Sequence, residues 1–79
     1  MKKRVNPIKR KQMEDRVREL EEKIGSTETA IERLEIALQD FISAEESQRQ
    51  AQELEQLKAG HATLVSEWEE LSRVLETEG

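Results

Sequence analysis

Residues 13 to 41, MEDRVRELEEKIGSTETAIERLEIALQDF, decide how this chain folds. Apolar or nearly apolar side chains recur at Met13, Val17, Leu20, Ile24, Thr27, Ile31, Leu34, Leu38 and Phe41, in steps that alternate four and three. Such steps keep the series on one stripe of an α-helix, and their average makes a heptad repeat, abcdefg, whose a and d positions require a partner helix. Val17, Ile24, Ile31 and Leu38 take a, while Met13, Leu20, Thr27, Leu34 and Phe41 take d. Upstream, Asn6 is a good N-cap and Pro7 suits the first helical position, where its missing N–H costs nothing. The first helix is therefore expected over 7–41, roughly 50 Å long at ~1.5 Å per residue. Gly25 is its weak point, since glycine costs about 1 kcal/mol against alanine in a helix interior.

Downstream, Ser43-Ala44-Glu45-Glu46 has the form of a capping box, in which a serine hydroxyl and a glutamate satisfy free backbone donors at a helix start. A turn at 42–43 and a second helix over 44–77 follow. Its apolar series is Leu54, Leu57, His61, Leu64, Trp68, Leu71 and Leu75, with Leu54, His61, Trp68 and Leu75 at a. Two heptad helices joined by so short a turn fold back as an antiparallel hairpin if each a residue meets a d residue. One register does this throughout: Met13 with Leu75, Val17 with Leu71, Leu20 with Trp68, Ile24 with Leu64, Thr27 with His61, Ile31 with Leu57 and Leu34 with Leu54. Its two polar seam residues share a layer, which fixes register because any slip would bury each against leucine. The flanks then place Glu28 near Lys58 and Lys23 near Glu67. The competing arrangement is a parallel homodimer, which the β-branched a residues of the first helix also suit. Self-pairing of the second helix would stack Trp68 on Trp68 and His61 on His61. The expected fold is all-α, a monomeric two-helix antiparallel coiled-coil hairpin over 7–79, with 1–6 a basic linker.

Composition excludes much else. With 79 residues, 39% charged against 34% hydrophobic, and only Trp68 and Phe41 aromatic, the chain is too small and polar for an enzyme core. It has no cysteine for a disulfide, a thiolate zinc site or a thiol nucleophile. Its three glycines are isolated, so neither a P-loop nor a dinucleotide fingerprint exists. No apolar run approaches the ~18 residues needed to span a membrane. The acidic pairs Glu21-Glu22 and Glu69-Glu70 read as solvated helix faces, because a narrow hairpin offers no water-excluding pocket for acid–base work. No catalytic residue, metal ligand or cofactor is expected.

The net charge of −5 hides a division. Residues 1–12 hold six bases and no acid, leaving seven bases against 18 acids, a balance of −11, in the rest. Clustered bases gain affinity for phosphates by releasing condensed counterions, so Lys2, Lys3, Arg4, Lys9, Arg10 and Lys11, with Arg16 and Arg18 further along, are the candidate nucleic-acid contacts. The other reading of the head is a solvated linker. Trp68 reads as a core anchor against Leu20, or as an exposed stacking platform for bases.

The basic stretch Lys3 to Lys11, then Glu14, heptads with Leu20-Glu21 and Leu34-Glu35, a short turn, and a second helix with Leu57, Leu64 and Trp68-Glu69-Glu70-Leu71 together resemble the C-terminal domain of ABC-F ATPases of the Uup type. The resemblance covers almost the whole chain, and the basic head and the W-E-x-L ending carry most of it. It implies an accessory coiled-coil hairpin of a cytoplasmic ATP-binding protein that acts on ribosomes and translation, the hairpin itself binding DNA or ribosomal RNA. The acidic body departs from the family's pattern and confines the expected contact to the basic head. The alternative is a structural or protein–protein interaction coiled coil without nucleic-acid binding.

Overall fold

A computed structural model describes residues 7–40 and 42–78, with the side chain of Glu78 outside the description. Two helices, α1 (Pro7–Leu38) and α2 (Ala44–Glu78), pack against each other along an antiparallel seam, and no strand occurs among the described residues. The molecule measures 62 × 17 × 14 Å, with a radius of gyration of 17.8 Å. A globule of this length would have about 12 Å. The elongation follows from burying one stripe per helix and nothing else.

Every a and d position of the repeat that is described, from Met13 to Leu38 and from Leu54 to Leu75, is at least half-buried. Leu20 is fully buried, alone among the described residues. The b, c and f positions are solvated. Ser47 and Gln50 extend the half-buried stripe of α2 back toward the turn. Two cross-helix hydrogen bonds fix the register. The Trp68 indole N–H donates to Glu21 at 3.2 Å, and His61 Nε2 lies 3.0 Å from a Glu28 carboxylate oxygen. Each bond falls one residue beyond the expected d partner, Leu20 or Thr27, so the layers align as the sequence requires. Trp68 is half-buried, its apolar body toward the seam and its N–H at the edge.

Four details differ from expectation. First, α1 ends at Leu38, not at 41, because Gln39 N and Asp40 N donate to Ile36 and Ala37 carbonyls at 3.1 Å each, tightening the last turn to i→i+3 bonds. Apolar spacing marks the residues that face a partner, not where the backbone ladder stops. The expected N-cap Asn6, the last d residue Phe41 and the linker 1–6 lie outside the described residues. Second, the capping box is half made. Ser43 Oγ accepts from Glu46 N at 3.1 Å, but the Glu46 carboxylate accepts from Arg49 and Gln50 instead of reaching back. That pairing, above all the Arg49 bond, holds the Glu46 carboxyl below its ordinary value.

Third, His61 finds its hydrogen-bond partner in Glu28, not in Thr27. A glutamate at the e position is long enough to curl round the seam edge, which a threonine hydroxyl is not. Fourth, the flanking ion pairs are displaced by one heptad. Lys58 meets Glu35 at 3.6 Å, and Glu67 meets Arg16 through two bonds of 2.7 and 3.0 Å. Helical side chains lean toward their own N-terminus. In an antiparallel pair Lys58 therefore leans toward the turn and Glu35 away from it, and the two converge, while Glu28 leans away from Lys58. Lys23 sits 3.4 Å from Glu19, although its charge still helps lower the Glu67 pKa. The planar guanidinium of Arg16 takes both carboxylate oxygens at once, which an ammonium cannot.

Candidate nucleic-acid interface

Five of the eight nominated cations, Lys9, Arg10, Lys11, Arg16 and Arg18, lie on α1, whose first turn contains no acidic residue. The N-terminal end of α1 is the positive end of the helix dipole, so Lys9, Arg10 and Lys11 add side-chain charge to a pole already positive. Such an arrangement is mildly unfavourable for the helix and favourable for an anion. Lys9 is exposed and forms no ion pair among the described residues. Arg10 lies 3.6 Å from Glu14 and Lys11 3.2 Å from Asp15. Both are exposed i,i+4 pairs with the base on the N-terminal side, the weaker orientation, and worth about 0.2–0.5 kcal/mol at most. A phosphate can displace either.

Arg16 differs. Besides the twofold bond to Glu67 it bonds Glu19, and these partners raise its pKa, the Glu67 hydrogen bond first among the causes. Glu67 is correspondingly lowered, chiefly by Arg16. Arg16 is thus engaged across the seam with Glu67 while remaining partly exposed. Arg18 is exposed and unpaired among the described residues. Lys2, Lys3 and Arg4 lie outside the described residues. The heptad places Lys9 and Arg16 at g and Lys11 and Arg18 at b, so the cations form two stripes, not one continuous face. Asp15 and Glu19 stand between those stripes.

A second face was hidden in the sequence. Helix α1 carries glutamate at every e position from Glu14 to Glu35, at 14, 21, 28 and 35. The hairpin gives each one donor: Arg10 to Glu14, the Trp68 indole to Glu21, His61 to Glu28 and Lys58 to Glu35. Glutamate recurring every seventh residue beside a d position was the available signal.

Among the described residues, no group of three or more histidine, cysteine or acidic side chains is arranged to hold a metal ion. None of the described helices is long and apolar enough to cross a membrane. A scan of protein-family models, a search of curated proteins and a search of solved structures each returned no match to this chain.

Proposed function

We propose that this hairpin is a non-catalytic, nucleic-acid-binding accessory domain, of the kind that ends ABC-F ATPases in the cytoplasm. The observation that carries the reading is the start of α1, where every charged residue up to Lys11 is basic. Lys9, Arg10 and Lys11 surround the positive pole of a 32-residue helix, with only weak, exposed pairs to displace. The contact is with phosphates, of DNA or of ribosomal RNA, because clustered lysine and arginine side chains gain their affinity from the backbone charge and not from base edges. Lys2, Lys3 and Arg4 extend the basic run, Arg18 adds a cation two turns along, and Arg16 supports the hairpin. The second reading, a coiled coil that only binds protein or spaces domains, draws support from the acidic body.

Binding to duplex DNA and to a structured RNA, measured over a range of salt, tests the proposal. Affinity should fall linearly on a log–log plot, with a slope near ~0.9 per duplex phosphate neutralised. Changing Lys9, Arg10 and Lys11 together to glutamine should remove binding and leave helicity intact, since glutamine is nearly as good a helix former. Absence of binding by the unmodified chain at low salt would overturn the reading in favour of the coiled coil alone.

A further inference from the structure

On the e side of the seam, Glu21, Ile24, Gly25, Glu28, Val65 and Trp68 line an open groove of about 270 Å³. Ile24, Val65 and the indole make its walls apolar, and two carboxylates stand on its rim. No lysine or arginine meets that rim among the described residues. Glu14 and Glu35, the outer members of the row, are each met by a cation, but Glu21 and Glu28 are met only by an indole N–H and an imidazole. The second carboxylate oxygen of each has no partner among the described residues. The cause lies in the e positions of α2, which run Lys58, Val65, Ser72. Where the pattern would bring a second lysine, it brings valine.

Gly25 supplies an independent observation. A glycine within a long helix costs about 1 kcal/mol against alanine. Gly25 does not have a positive φ, and a Cβ built on it would meet nothing within 4 Å. The hairpin itself therefore has no need of glycine there. What its missing side chain leaves is open space midway between Glu21 and Glu28, one turn from each.

We propose that this groove binds an arginine side chain presented by a basic segment of a partner protein. A guanidinium over Gly25 faces a carboxylate on either side and stacks on the Trp68 ring, while its methylene stem lies against Ile24 and Val65. Lysine fits less well, because a point charge neither stacks nor spans two carboxylates. This inference does not rest on nucleic-acid binding, since it uses a face of opposite charge.

Trp68 is the only tryptophan of the chain, so its emission reports on the groove directly. The probe is the peptide acetyl-Ala-Leu-Arg-Ala-Leu-Arg-amide, with a citrulline version that keeps the shape and loses the charge. A saturable change of emission is expected with the arginine peptide and not with citrulline. The double substitution Glu21→Gln with Glu28→Gln, which still offers an acceptor to the indole, should weaken binding by about tenfold or more. Gly25→Leu, which fills the groove without breaking the helix, should do the same. The pair Glu69→Gln with Glu70→Gln removes equal charge elsewhere on α2 and should leave affinity unchanged, as should glutamine at Lys9, Arg10 and Lys11. Equal loss from the Glu69 and Glu70 changes would reduce the attraction to the acidic body as a whole and overturn the site. Equal binding of the citrulline peptide, or no saturable response from a chain that keeps its helicity, would overturn it too.

Discussion

Replacing Leu20 with alanine should cost this hairpin more than any other single apolar truncation in α1. Leu20 has 0% of its surface exposed, whereas its neighbours in the seam are half-buried. Fully burying a leucine side chain stabilises by about 1.5–3 kcal/mol, most of which Leu20→Ala gives up. A cavity penalty adds to this in deep cores, where Leu→Ala costs about 2.7–5 kcal/mol. Here the layer is only two helices thick and solvent can enter from both edges, so the cavity part is small and about 2–3 kcal/mol is expected. That is most of what so short a domain possesses. The assay is urea unfolding at low temperature, followed by helical circular dichroism and by Trp68 fluorescence. Coincident transitions license a two-state free energy. Ile36→Ala is the internal reference, because Ile36 is 57% exposed and should change stability by no more than about 0.5 kcal/mol. If Leu20→Ala unfolds the chain outright, Leu20→Met, which conserves volume, should stay folded with a loss below about 1.5 kcal/mol. A Leu20→Ala cost below about 1 kcal/mol, or one no larger than that of Ile36→Ala, would refute the placement of the seam.

Other perturbations follow from the flanks and the backbone. The Glu67 carboxyl is held below its ordinary value of 4.5 chiefly by Arg16, so the stability it contributes is fully present above that pH and is lost as pH falls through the depressed folded value. Glu67→Gln should therefore flatten the acid limb of a stability-versus-pH curve, and an acid limb as steep as in the unmodified chain would count against the Arg16 bridge. Gly60→Ala meets nothing within 4 Å and involves no positive φ, so it should stabilise by up to about 1 kcal/mol in urea unfolding; a loss of stability would point to a close approach that the hairpin does not contain.

The heptad steps made α1, α2 and their register legible, because burial of one stripe is nearly the only long-range demand this chain makes. The layers of Leu20 and Thr27 are located by bonds from Trp68 and His61 to the very next residues, Glu21 and Glu28. Helix ends were less legible. The last turn of α1 depends on where Gln39 and Asp40 amides find carbonyls, and spacing of side chains does not encode that. The Lys58 pair falls a heptad from the expected one because register arithmetic treats side chains as perpendicular to the axis, when Lys58 and Glu35 lean toward each other; Glu67 takes Arg16 over Lys23 against that lean, through a guanidinium that meets both carboxylate oxygens. For the candidate interface, sequence found the basic turn but not that Arg16 is committed to Glu67. The acidic e row is opaque in sequence for the same reason, since three of its members, Glu21, Glu28 and Glu35, take their donors from the other helix.

The full burial of Leu20 has a consequence for the order of events in folding. The bond that marks its layer joins residues 47 apart in sequence, whereas the layers near the turn join residues far closer together. Forming the Leu20 layer first would require closing that long loop, at an entropic cost about 1.4 kcal/mol above that of a ten-residue loop. Helix pairing therefore zips from Ser43 outward through the more loosely packed layers and locks at Leu20 late. The lock then governs how fast the hairpin comes apart. Truncating Leu20 should steepen escape from the folded state while scarcely slowing entry into it, so that a chevron shows the change almost wholly in its unfolding arm. In kinetic terms the turn decides whether the two helices meet, and one leucine far from it decides how long they stay together.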